Sequence, residues 1–221
     1  HILAELDWQL RSNEPDVLFC EVDASCYGDP EKNAVARILF NNNGPRVCSG
    51  TLLNNSAQDP YFLTANHCVN SQAIAQTVEA YWFYQTTSCN SGVLRSWVHS
   101  PPGANLLARQ SSNDFSLLRL QHNAPGGAFF SGWTSVVQPV GANVFSLHHP
   151  DGYIPPSVNS YLRRSTGSVI STNENCLNLV NGYEIDWTSG SAEPGSSGSG
   201  LWNSNGYLVG VLSCGPIPPT C

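Results

Sequence analysis

Three short stretches carry residue types that can do chemistry together: LTANHC at 63–68, SNDFSLLRL at 112–120 and EPGSSGSG at 193–200. A serine hydroxyl is a weak nucleophile at neutral pH. It needs an imidazole to take its proton, and a carboxylate to fix the imidazole's tautomer and stabilise the imidazolium. Ser197, His67 and Asp114 supply those parts. Acyl transfer also builds an oxyanion that must meet preorganised backbone N–H donors. The N–H groups of Gly195 and Ser197 are the candidates, because glycine adopts the required dihedrals and puts no Cβ in the way of the carbonyl. Taken singly, each stretch has an ordinary explanation. A Gly/Ser run reads as a linker, a histidine is often half-buried without a task, and an aspartate opening a strand is commonly a turn residue. The linker reading weakens because strand-like GLWNSNGYLVGVL follows at once.

The three stretches together resemble the chymotrypsin-like serine proteases. TANHC is similar to their histidine motif, NDFSLLRL to their aspartate strand, and GSSGSG to their serine motif. The order His, Asp, Ser, with separations of 47 and 83 residues, suits that family and not the subtilisins or α/β-hydrolases, whose triad orders differ. AEPGSSGSG, YWFYQTTSC and LHHPDG further resemble the secreted bacterial branch that includes lysyl endopeptidase, over roughly residues 20–221. The resemblance implies two antiparallel six-stranded β-barrels, with His67 and Asp114 on the first and Ser197 on the second. It implies a secreted serine endopeptidase acting on proteins or peptides through an acyl-enzyme, without cofactor or metal, as a monomer after removal of a prosegment. It also implies the disulfides Cys20–Cys221, Cys26–Cys89 and Cys48–Cys68, leaving Cys176–Cys214; from sequence alone eight cysteines allow 105 pairings.

Two departures from the family shape the expectations. Animal members place an aspartate just before the nucleophile to pair with a newly cut N-terminus; this chain has Ser196 there and His1 at its start. Activation by such an ion pair is therefore not expected, and the loop is expected to be held by its own hydrogen bonds. After GYLVGVLSCGP the family continues through another strand and a helix, whereas this sequence stops at Cys221. The alternative function is accordingly a protease-like binding or adhesion module with little catalysis. Substrate choice is affected as well. Ser191 stands six residues before the nucleophile, and neither it nor Ser213 or Gly215, the other pocket candidates, carries the carboxylate that a buried Lys or Arg side chain would need. Ser213 is also a candidate donor beneath Asp114.

The elements that must position these residues read as mostly β. From residue 34 onward, short runs rich in β-branched and aromatic residues (VARILF, YFLTA, VEAYWFYQTT, FSLLRL, ANVFSLHH, GSVIS, YEIDWT, GYLVGVLS) alternate with Gly, Pro and Asn clusters, the pattern of an all-β sandwich or barrel. HNAPGGAFFSG at 122–132 is the richest candidate boundary. The expected organisation is an arm over 1–33, a first barrel over 34–121 and a second over 122–221. Five strands are countable after the boundary where six are expected. An uncovered edge is an aggregation liability, so cover by 2–10, whose leucines share one helical face in a short predicted helix, or by another segment is expected.

Composition narrows the class. The 221 residues suffice for one large domain or two small ones. A net charge of −7 with only nine Lys plus Arg leaves no basic stripe for nucleic acid. Eight cysteines without a CxxC pair fit an oxidised, secreted protein better than a zinc site. No run near 18 apolar residues suggests a membrane span. His148 and His149 are adjacent on a predicted strand, point to opposite faces and make a poor metal pair.

Overall fold

In the computed structural model the described residues are 20–150, 160–176 and 180–215. The short helix expected over residues 1–11 lies outside them, as does Cys221.

Strands dominate, in two antiparallel sheets. The first takes β2 (Val35–Asn41), β3 (Pro45–Leu52), β4 (Tyr61–Ala65), β5 (Glu79–Trp82), β6 (Val98–Ser100), β7 (Ala104–Gln110) and β8 (Phe115–Leu120), in the order β6-β5-β2-β3-β4-β8-β7. The second is built from β9 (Asn143–His148), β10 (Arg163–Glu174), β11 (Gly182–Ser189), β12 (Gly200–Asn203) and β13 (Leu208–Val211), joined by β1 (Val22–Asp23). A helical turn, Gln72–Ala75, is capped by the Ser71 hydroxyl, which accepts from the Ile74 N–H.

Side-chain alternation explains how the sheets share the interior. Along β2, Ala36, Ile38 and Phe40 enter the first core, where Phe62 meets Trp82 edge-on at 5.8 Å. Val35, one residue off that phase, turns to the second core with Phe145, Leu147, Leu162 and Trp202. β4 splits the same way, Phe62 filling the first core and Leu63 packing on the second. Successive strand residues face opposite sides, so a two-residue alternation in the centre of the molecule fastens one sheet to the other.

The second sheet gains its sixth strand from the start of the described chain. Val22–Asp23 pairs with Arg163–Arg164 of β10, beside β11 on the same edge of that strand. It therefore does not fill the place between β11 and β13. Among the described residues the outer edge of β13 is met by residues 132–134 alone: Leu208 N–H donates to Gly132 O and Thr134 N–H to Leu208 O. Beyond that contact a cavity of about 420 Å³ opens between β11 and β13, walled by Tyr183, Ile185, Trp187, Leu201 and Val209.

Disulfides join Cys26 to Cys89, Cys48 to Cys68 and Cys176 to Cys214. Among the described residues no helix is long and apolar enough to cross a membrane.

Candidate active site

β4 delivers His67. The strand ends at Ala65, and the chain turns there because Cys68 and Val69 both donate to the Ala65 carbonyl. The Cys48–Cys68 disulfide ties the turn to β3. Asp114 opens β8, the neighbour of β4, and adopts a left-handed backbone (φ +49°), a conformation Asp tolerates better than most residues. That backbone lets one residue grip the histidine turn three times. Asn66 N–H donates to Asp114 O at 3.1 Å. Asp114 Oδ1 accepts from His67 N–H at 2.8 Å, and Oδ2 lies 2.6 Å from His67 Nδ1. The carboxylate is 4% exposed while the imidazole is 37% exposed. With Nδ1–H committed to the carboxylate, Nε2 keeps its lone pair for an incoming proton.

β12 and β13 deliver Ser197 through the tight loop that precedes them. Glu193 N–H goes to Ser196 Oγ, Ser196 N–H to Glu193 O, Gly198 N–H to Leu212 O and Ser199 N–H to Ser196 O. Pro194 has no N–H. Among the described residues the N–H groups of Gly195 and Ser197 alone in this run find no acceptor. Buried backbone donors are nearly always paired, so two spared in one turn beside the half-buried Ser197 are available to an incoming acceptor. Gly195 and Gly198 both take positive φ, +95° and +81°.

β3 of the other sheet clamps this loop. Ser49 N–H donates to Ser197 O at 2.8 Å, and Ser49 Oγ donates to Gly195 O at 3.0 Å while accepting from His149 N–H. Gly198 lies flush against β4: a Cβ there would sit 2.3 Å from Thr64 Oγ1 and 2.8 Å from Ala65 N. The serine loop thus rests on the strand end two residues before His67. Among the described residues no hydrogen bond joins Ser197 Oγ to His67, an interaction that substrate-free enzymes often leave long.

Beneath the loop lie two residues that the sequence offered only as a poor metal pair. His148 Nδ1 is 2.8 Å from Ser196 Oγ and its Nε2 3.0 Å from Ser165 Oγ. His149 Nδ1–H donates to Ser160 O at 3.0 Å. Burial pushes both imidazoles down to about 3, aided at His148 by Arg163. The signal that could have found His148 is the serine at position 196, whose hydroxyl must find a buried neutral partner once no charged group is there to meet.

The remaining predicted residues scatter. Ser191 is buried, with its carbonyl accepting from Ser165 Oγ at 2.5 Å. Ser213 lines the cavity between β11 and β13, and Gly215 faces open space. The Asp114 carboxylate takes its described hydrogen bonds from His67, with none from Ser213. Cys48, His67 and Cys68 lie close enough to suggest a metal, yet the two sulfurs are joined to each other and offer no thiolate.

This architecture is that of the chymotrypsin-like proteases. The scabies mite inactivated protease paralogue S-I1 superposes with a TM-score of 0.62 at 18% identity, covering 85% of this chain and 86% of that one. The serine protease AL20 of an extremophilic microorganism gives 0.58 at 16%, covering 85% and 87%. The model of the lysyl endopeptidase C-terminal domain matches residues 16–220, and the chain belongs to that family. The lysyl endopeptidase of Pseudomonas aeruginosa is 36% identical, the match taking in 89% of this chain and 45% of that relative. This chain therefore spans less than half of that relative's length.

Proposed function

We propose that this chain is a serine endopeptidase domain of an exported protein. Ser197 is its nucleophile, His67 its general base and then acid, Asp114 the carboxylate that orients His67, and the N–H groups of Gly195 and Ser197 its oxyanion hole. The carrying observation is the pair of N–H groups that find no acceptor among the described residues, in a stretch, 193–199, whose other backbone donors are engaged, set against the sheet that holds the His67–Asp114 pair. Ser197 Oγ attacks the scissile carbonyl carbon as its proton passes to His67 Nε2. The carbonyl oxygen takes the negative charge between the two N–H groups. Collapse expels the amine, which collects the proton from His67, and water releases the acyl group by the same path.

The substrates in this reading are proteins or peptides. The preference named for the lysyl relative is not carried over, because Ser191 and Ser213 leave a cationic side chain without a carboxylate. Family membership and the disulfides support export to an oxidising compartment. The edge of β13, which among the described residues pairs only with residues 132–134, supports the second reading, a binding module on a protease fold. The two separate on covalent labelling by a fluorophosphonate: the enzyme reading expects an adduct on Ser197 that Ser197→Ala abolishes, the binding-only reading none.

A further inference from the structure

For the proposed chemistry the serine loop must hold two like dipoles, the N–H groups of Gly195 and Ser197, toward one point, an arrangement that relaxes unless something fixes the peptide between them. That peptide is gripped from one side by Ser49 Oγ on Gly195 O and by the bond from Ser196 N–H to Glu193 O. From the other side it is gripped through the Ser196 side chain, fully buried and aimed inward.

The proton directions along that second grip follow from its far end. Ser165 Oγ donates to Ser191 O, so it accepts from His148 Nε2–H. His148 Nδ1 is then a bare acceptor, and Ser196 Oγ–H donates to it. Ser196 Oγ accepts in turn from Glu193 N–H. The relay starts and ends on the same loop, at Glu193 and Ser191, and His148 at the end of β9 is its only member that reaches both hydroxyls. Every polar atom of the imidazole is satisfied while neutral, which removes the cost of burying it. Glu21 Oε2 lies 3.8 Å from Nε2, but burial and the neighbouring Glu193 push that carboxyl well above its ordinary range, toward its uncharged form.

We propose that His148 is the positioning residue of the oxyanion loop, holding residues 191–197 in anion-binding shape through an uncharged relay, Ser196 Oγ–H to Nδ1 and Nε2–H to Ser165 Oγ, where an ion pair would otherwise serve. The inference rests on the proposed reading of Ser197 and deepens it. The loop needs no cleaved terminus to become competent, because its anchor is part of the second sheet.

The test uses the full chain and the variants Ser196→Ala, His148→Leu and His148→Asn, the last keeping an acceptor near the Nδ1 position. Hydrogen exchange of peptides covering 193–199 and of β12 is read beside kcat and KM on fluorescein-labelled casein. In Ser196→Ala and His148→Leu, loop exchange rises about 10-fold while β12 stays protected. In the same two proteins kcat falls about 100-fold. KM moves less than about 3-fold, and His148→Asn recovers to within about 5-fold of the parent. Should His148→Leu fail to fold, Ser196→Ala decides alone, since it removes a single buried oxygen. Parent-like loop exchange and kcat in Ser196→Ala would overturn the proposal. Faster loop exchange in the variants of a parent that cuts no casein would sustain the relay and sink the protease reading instead.

Discussion

Asp114 holds the histidine turn at three points. Its backbone carbonyl holds Asn66, one carboxylate oxygen holds the His67 backbone and the other the His67 ring. Asp114→Asn keeps the shape but turns an amide N–H toward Nδ1, forcing the imidazole into the tautomer whose Nε2 carries the proton. Turnover of labelled casein should then fall by about 10⁴-fold, the scale of loss that a wrong imidazole tautomer causes in a Ser-His-Asp triad, with the fold intact by circular dichroism. A loss of less than about tenfold would mean that the ring is not oriented through this carboxylate. The residues of this pair were legible in the sequence because their motifs are local and their order is distinctive. Ser49 and His148 were not, since each acts on the loop from a strand, 146 and 48 residues away in sequence, and the hydroxyl at position 196 hints only that a neutral partner is needed, not which residue supplies it.

At the scale of elements, what matters is how closely the serine loop and β4 approach. Gly198 has positive φ and no room for a Cβ, which would meet Thr64 Oγ1, Ser49 O and Ala65 N at 2.3, 2.5 and 2.8 Å. Two of those atoms are backbone and cannot swing aside. Gly198→Ala should therefore push the loop off β4, costing more than about 3 kcal/mol in denaturant midpoints and separating Ser197 from His67. Gly92→Ala, at φ +64° in open space, should cost only about 1 kcal/mol. Equal costs at the two sites would contradict the packing argument. The alternation of apolar residues made the strands readable, and β9 to β13 fall where ANVFSLHH, RRSTGSVI, YEIDWT, SGLW and GYLVGVLS stand. What the sequence could not show was the two-residue β1, too short to carry a period, which joins the second sheet.

For the molecule as a whole, the two buried histidines couple stability to acidity. Their imidazoles are held at about 3 against an ordinary 6.5 by burial, so the unfolded chain takes up protons that the folded one refuses. Their contribution is complete above about pH 6.5 and is lost as the pH falls toward 3, at up to about 1.4 kcal/mol per pH unit for each ring. Glu21, raised well above its ordinary range by burial, and Glu31, raised less, work in the opposite sense. Denaturant midpoints should thus fall steeply below about pH 6, and a profile flat down to about pH 4 would contradict neutral burial of the pair.

The proposed chemistry stands on Ser197 being an activated nucleophile beside the Gly195 and Ser197 N–H groups. Mass-spectrometric mapping of a fluorophosphonate adduct probes that state without any assumption about substrate. One adduct per folded chain is expected, on Ser197, lost in Ser197→Ala and strongly slowed in Asp114→Asn. An unlabelled folded chain beside a labelled control protease, or an adduct on another serine, would contradict it.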